Sequence, residues 1–289
     1  MTLLLWASAF VAIRDLGERV GPGELSLGRL AVGSLVLGAM LVVARLRGVR
    51  LRWPAGRDWL LVVVCGVAWF GVYNVALNAA ERLVDAGTAA LIIQIGPLLV
   101  ALGAAVLLGE RLHRWLVAGL VVGFAGVALI AQGSSEAHTL DPAGVALALL
   151  AAAMYAVGVL CQKPLLRRVG GLELTFCACT VGAVACLPWA GGLADVTASG
   201  GWGDLGWIVF LGAFPTAIAF STWAYALART DAGTLALTTF LVPAITTLLA
   251  WALLDEVPPL LSFVGGALAI AGVLLTRRTP PVVTVPSRA

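Results

Sequence analysis

Asn74 and Asn78 stand four residues apart inside the apolar run 59–80, so on a helix they share one face. Trp69 and Tyr73 precede them in the same run. Gln94 lies three residues before Pro97, and Thr238 and Thr239 lie just before Pro243, again within apolar stretches. Trp6, Tyr155 and Ser221 are further aromatic or polar side chains within apolar runs, and Arg29 sits about one turn inside the run 25–44. None of these is a nucleophile with a base at hand. Amides, hydroxyls and indole N–H groups set in apolar runs are costly unless they meet a partner or a solute, so their chemistry is recognition. Each proline withholds an N–H from the carbonyl four residues earlier, at Ile93 and Thr239, and leaves an acceptor beside the polar side chains. The competing readings are structural: the Asn pair as a tie between helices, the prolines as packing kinks, and Ser221 and Thr222 bonded back to their own helix. Arg29 reads either as a side chain snorkelling to the surface or as an anchor for a carboxylate or phosphate.

The elements that must hold these groups are apolar throughout. The 289-residue chain is 61% hydrophobic and 11% charged with a mean hydropathy of +1.02, whereas a soluble domain carries about 25% charged residues. This composition marks an all-α integral membrane protein, and the net charge of +3 gives no nucleic-acid surface. Runs of about the required 20 residues fall at roughly 2–14, 25–44, 59–80, 86–108, 115–132, 142–161, 172–190, 204–226, 232–254 and 260–276. The first is short, about 17 Å as helix, which leaves open a start upstream of Met1. Fourteen of the 18 basic residues fall in one set of loops, which predicts a multi-pass protein with both termini cytoplasmic. The five cysteines all lie in apolar runs and read as small hydrophobes; neither a metal site nor a cofactor is expected. No Asp, Glu or His falls in the middle third of any run. Such a chain either runs down its substrate gradient or couples through a group nearer the surface.

One segment occurs twice, 146 residues apart. Asp85-Ala86-Gly87-Thr88 returns as Asp231-Ala232-Gly233-Thr234, Pro97 matches Pro243, Glu110 matches Glu256, and Gly119 and Gly126 match Gly265 and Gly272. Between 85 and 129, 17 of 45 positions are identical to their mates, and the matched Asp, Thr, Pro and Glu are scarce enough here to argue against chance. Each copy holds five runs. An odd number forces the second copy to enter the membrane upside down, so the expected layout is ten transmembrane helices as two inverted five-helix repeats. The expected divisions are 1–132, a periplasmic join at 133–141, 142–278, and a disordered cytoplasmic tail at 279–289. Asp85 and Asp231 are expected to cap the helices that follow them, and Glu110 and Glu256 to fix turns.

These features resemble the bacterial EamA family of the drug/metabolite transporter superfamily. The carrying residues are Trp6-Ala7-Ser8-Ala9-Phe10, Arg29, Ala86 to Ala90 with Pro97, Leu108-Gly109-Glu110-Arg111-Leu112, Gly119 and Gly126. Their counterparts are Asp231 to Ala236, Pro243, Leu254-Asp255-Glu256 and Gly265 to Gly272. The chain departs from the pattern at Ala7, where the family has Gly, and at Met154, where the second half often has Trp. The resemblance implies a monomeric inner-membrane exporter or facilitator of small neutral or amphipathic metabolites, amino acids among them, working by alternating access. A lipid-intermediate flippase or multidrug exporter of the same architecture is the alternative. The resemblance implies a central cavity lined by the first, third, fourth, sixth, eighth and ninth runs; the substrate groups expected from the residues themselves are Trp6, Trp69, Tyr73, Asn74, Asn78, Gln94, Tyr155, Ser221, Thr238 and Thr239. Pro97 and Pro243 are the implied hinges, with Arg29 as an anion anchor.

Overall fold

A computed structural model describes residues 1–17, 19–84, 86–134, 141–199, 201–254 and 259–276, and every regular element among them is helical. Among the described residues, six helices are long and apolar enough to cross a membrane: Pro22–Leu46, Asp58–Ala80, Arg114–Gln132, Pro142–Leu165, Trp202–Leu227 and Ala232–Leu249. Thr2–Leu16, Leu91–Leu107 and Leu260–Leu275 are shorter apolar helices. The run read as 172–190 does not form one straight helix. Gly171–Ala185 ends at Cys186, and Leu187–Ala198 continues at 54° to it because Pro188 cannot donate back into the helix.

Local chemistry sets the boundaries. Pro22 and Pro142 each open a helix, where the missing N–H has no partner to lose. Asp141 caps the second of these, accepting from Ala143 N at 2.8 Å and Gly144 N at 3.4 Å. Gly109, at φ +70°, makes the turn that follows Ile95–Leu107. The expected cap at Asp231 is a correction: its side chain makes no capping bond. Glu110 takes that place from the other half of the chain, accepting from Ala232 N at 2.8 Å and Gly233 N at 3.2 Å. Asp85, His138, Asp255, Glu256, most of the 133–141 join and the tail lie outside the described residues.

The irregular stretches repeat with the sequence. Gly66–Val72 and Gly212–Ile218 are both π-helical, 146 residues apart. The first run with a proline breaks at Gln94, and its counterpart passes through a 3₁₀ turn at Thr238–Phe240. Pro97 and Pro243 then each occupy the third position of the helix that follows, Ile95–Leu107 and Leu241–Leu254. They open helices rather than kink them, because N–H groups in a first turn lack intrahelical acceptors anyway.

Arg114–Ser134 packs along Leu260–Leu275 through glycine backbones. A Cβ on Gly119 would stand 2.6 Å from Gly272 O, and one on Gly126 would stand 2.5 Å from Gly265 O. The contact is reciprocal in the repeat numbering, since Gly119 and Gly126 are the mates of Gly265 and Gly272. The polar loops are tied by the Arg168–Asp58 salt bridge (2.8 Å) and by Arg52 N donating to Glu173 Oε1 (2.6 Å). Apolar side chains such as Leu35, Val106, Val121 and Leu260 cover the outer faces, as a lipid-facing surface requires.

Candidate substrate-binding site

A cavity of about 80 Å³ lies inside the bundle. At roughly 10–15 Å³ for each water centre, it has room for about half a dozen waters or a solute of similar size. Trp6, Ala9, Phe10 and Ile13 line it from Thr2–Leu16, and Arg29 from Pro22–Leu46. Trp69, Tyr73, Asn74 and Leu77 come from Asp58–Ala80, and Ile93, Gln94 and Pro97 from the broken helix. Tyr155, Phe220, Thr239 and Val242 close the remaining side.

One wall is aromatic. Trp69 packs edge-on against Phe220 at 5.0 Å and Tyr155 at 5.4 Å, and Trp6 lies 5.3 Å from Phe220. Trp223 and Phe70 stand behind that wall, 5.0 Å from Trp6 and 4.5 Å from Phe220. Small residues make the packing possible: a Cβ on Gly158 would lie 2.4 Å from Trp69 Cβ, and one on Gly96 would lie 2.6 Å from Tyr155. From the wall, the cavity extends toward the ends of Thr2–Leu16 and Asp58–Ala80. Arg82 joins these ends by donating to Gly17 O and Val20 O.

The polar groups are placed by the helix irregularities. Asn74 Nδ2 donates to Phe70 O at 2.7 Å and Trp69 O at 3.4 Å, carbonyls of the first π stretch. In the second π stretch Pro215 O, the mate of Trp69 O, accepts from Trp6 Nε1 at 3.2 Å. The Thr239 carbonyl freed by Pro243 accepts from Gln94 Nε2 at 3.1 Å, so one half supplies the donor for the acceptor that the other half's proline releases. Tyr155 Oη is buried close to the Thr239 hydroxyl without meeting hydrogen-bond geometry.

Arg29 is 5% exposed, so it forms part of the buried wall and does not snorkel. Its Nε donates to Thr216 Oγ1 at 3.2 Å. It makes no ion pair among the described residues, although Glu81 contributes to the field around it. A guanidinium carries five N–H donors in a planar fork, which leaves a bidentate donor edge for an anionic group at the cavity.

The structure therefore brings Trp6, Arg29, Trp69, Tyr73, Asn74, Gln94, Pro97, Tyr155 and Thr239 together at one cavity. Four other expected residues lie off its lining. Asn78 Nδ2 donates to Ser26 Oγ at 3.1 Å and Pro22 O at 3.3 Å, tying two helices. Ser221 and Thr238 bond back to Ala217 O and Leu235 O of their own helices. Pro243 acts through its missing N–H. The sequence reading missed Ala9, Phe10, Ile13, Leu77, Ile93, Phe220 and Val242; Phe10 and Ile13 carry the stripe of Trp6 onward at helical spacing, a signal that would have found them.

A family model, the EamA-like transporter family, matches residues 1–132 and 142–278. The chain belongs to that family. It is thus a multi-pass membrane protein of the drug/metabolite transporter class, and the family's members are transporters, which points away from an enzyme. This EamA chain is 40% identical to a probable terminal-alkyne amino-acid exporter of Streptantibioticus cattleyicolor, over 96% of the chain and 91% of the relative. It is 30% identical to the uncharacterized transporter YdfC of Bacillus subtilis, over 94% and 87%. The aromatic amino acid exporter YddG of Ancylobacter novellus is 29% identical over 78% and 75%. A solved crystal structure superposes with a TM-score of 0.77 at 25% identity, covering 96% of this chain and 93% of its own.

Proposed function

We propose that the chain is a secondary transporter that exports small amphipathic solutes, amino acids with apolar or unsaturated side chains foremost. The observation that carries this reading is Arg29, buried at an otherwise uncharged cavity beside an aromatic wall. A carboxylate would take the guanidinium edge. An apolar side chain would lie against Trp6, Trp69 and Phe220, where its burial is worth roughly 25 cal/mol per Å². The amide and hydroxyls of Asn74 and Tyr73 suit an ammonium group. The exporters named among the relatives handle amino acids of this kind, which supports the class without naming the substrate here.

Alternating access follows from a ten-helix layout of two inverted repeats, 1–132 and 142–278, joined by 133–141 and followed by the tail 279–289. Its supports are the π stretches, the proline breaks and the reciprocal glycine contact, all on one offset of 146 residues. Because the two halves share one construction, two packings of nearly equal energy are available, one opening to each side. The arginine distribution favours both termini cytoplasmic, the family resemblance favours a bacterial inner membrane, and a single chain holds the whole cavity, so a monomer suffices.

The test is flux. Proteoliposomes loaded with L-phenylalanine or L-propargylglycine are expected to release them down their gradient, and Arg29→Gln to slow that release at least tenfold. Release no faster than from empty liposomes, for a panel of apolar amino acids, would sink the substrate reading.

A further inference from the structure

We infer a second position for the solute's polar head, behind the aromatic wall, formed by Gln162 and the indole N–H of Trp223. The inference rests on the alternating-access reading. Both side chains are buried, Gln162 fully and Trp223 to within 1%. The amide Nε2 and Oε1 of Gln162 and the Nε1 of Trp223 all lack a hydrogen-bond partner. An unpaired buried polar group is costly, and three such atoms, on two helices that meet at Tyr155–Trp223 and at Lys163–Leu227, mark a place where something polar belongs.

The two residues sit on one path. Tyr155 and Gln162 are seven residues apart on Pro142–Leu165, so they share a face at about 10 Å separation. Tyr155 meets Trp223 ring to ring at 6.4 Å. One residue beyond Gln162, Lys163 Nζ donates to Leu227 O at 2.9 Å and Thr230 O at 2.8 Å. Gln162 is therefore bracketed by two contacts joining Pro142–Leu165 to the end of Trp202–Leu227. It lies between the cavity wall and the end of the bundle that Lys163 and Glu110 hold shut.

The repeat gives the same position independently. The mate of Trp223 is Leu77, which lines the cavity, and the mate of Val159, one turn before Gln162, is Ile13, which also lines it. When the halves exchange roles, Trp223 and Val159 take the places that Leu77 and Ile13 hold in this conformation. Gln162 then stands one turn further along the exit. The donors Trp223 Nε1 and Gln162 Nε2 suit a carboxylate, and Gln162 Oε1 suits an ammonium group. The fitting ligand is the zwitterionic head of an α-amino acid that has passed the aromatic wall.

The experiment has two arms. In proteoliposomes with radiolabelled L-phenylalanine, Gln162→Met and Trp223→Phe are expected to lower the maximal rate about tenfold and to leave KM within about twofold, with size-exclusion profile and Tm as folding controls. A wild-type rate in both variants overturns the inference, and so does a raised KM at unchanged rate, which would assign both residues to the first cavity. In the second arm the five native cysteines are replaced by alanine, and Gln162→Cys or Leu77→Cys is added. A water-soluble thiol reagent is expected to reach the two positions from opposite sides of the membrane. Reaction of both from the same side, or no reaction at 162 over hours, overturns the second position. Labelling needs no substrate. Absence of L-phenylalanine flux in the unaltered chain therefore defeats the substrate reading, and labelling decides the position separately.

Discussion

The two halves of the bundle share a backbone plan and differ in their side chains. Both have a π stretch at the same place, a break before the same proline, and a glycine helix that packs on its mate. Yet twelve of the sixteen cavity-lining residues come from the first half and four from the second. Asn74 has Phe220 as its mate, Gln94 has Phe240, Arg29 has Thr175 and Leu77 has Trp223. The first half supplies the charge, both amides and four of the six aromatic rings of the lining, while the second adds only Tyr155, Phe220, Thr239 and Val242. On the proposed alternating-access reading, symmetry is kept where the chain would move between two equivalent packings and given up where one solute would be gripped. A solute is not symmetric end to end, so two identical half-sites would serve it poorly.

The symmetric part is where the largest effect is expected. Gly126→Val would place a Cβ 2.5 Å from Gly265 O and 2.6 Å from Ala269 N. Backbone cannot yield there without parting the helices, and overpacking of this kind costs about 3 kcal/mol. Thermal melting of the purified chain should show a loss of many degrees or no folded material. Gly272→Val, the mate, meets Gly123 N and Gly119 O at 2.6 and 2.7 Å and should cost about the same. Gly38→Ala is the control, since its nearest neighbour is a Phe176 ring atom at 3.5 Å. If Gly126 and Gly272 differ widely, the pseudo-twofold contact is less symmetric than its geometry.

The asymmetric part comes next. A charge-assisted hydrogen bond is worth about 1.5–3 kcal/mol, so Arg29→Gln should raise the KM for L-phenylalanine roughly 10- to 100-fold. The mate change, Thr175→Val, should leave KM alone, because Thr175 Oγ1 donates to Gly171 O inside its own helix at 2.8 Å. Equal effects at both positions would refute the division of labour between halves.

Much of this arrangement was readable from the chain, and the unread part has definite causes. The proline rule identified the Thr239 carbonyl as a free acceptor, and Gln94 proved to be its donor. It could not identify that donor, because the pairing crosses 145 residues. Asn74 and Asn78 do lie on one side of their helix, but the neighbour on that side changes with height: cavity at Asn74, Ser26 at Asn78. Ser221 and Thr238 satisfy themselves within one turn, a choice invisible in composition. Phe220 could not be told from core, since an aromatic ring facing a cavity and one facing a neighbour have the same sequence. The π stretches add a further obstacle. A π-bulge amounts to one extra residue, which turns everything beyond it by about 100° relative to a regular helix.

Asn74 and Asn78 offer a smaller, cleaner contrast. Asn74→Leu is expected to raise KM several-fold, since Asn74 lines the cavity, and to lower Tm by a few degrees, since it also gives up the donor to Phe70 O. Asn78→Leu is expected to lower Tm by a few degrees with KM unchanged, because it removes the donor to Ser26 Oγ and Pro22 O, a loss of about 1 kcal/mol. Kinetics and melting of the two variants side by side decide it. A KM effect at Asn78 equal to that at Asn74 would extend the site along the whole face.

The smallest expected effect concerns the closed end of the bundle, and it returns to the symmetric plan. Glu110 follows Ile95–Leu107 in one half and caps the helix of the other through Ala232 N and Gly233 N. A lost cap costs about 0.5–2 kcal/mol, and the carboxylate also favours the positive end of the helix. Glu110→Ala removes both contributions, whereas Glu110→Gln keeps an acceptor and loses only the charge, so the Ala variant should melt a few degrees lower and the Gln variant barely lower. The bond closes one end in this conformation, and on the alternating-access reading its loss should favour the conformation with that end open by about the cap's worth, up to roughly thirtyfold in population. The readout is the reactivity of Gln162→Cys toward a water-soluble thiol reagent, which should rise in the Glu110→Ala background. By the repeat, Glu256→Ala is expected to shift the balance the other way and lower that reactivity. Two shifts in the same direction would mean that the glutamates stabilise the fold generally and do not hold opposite ends.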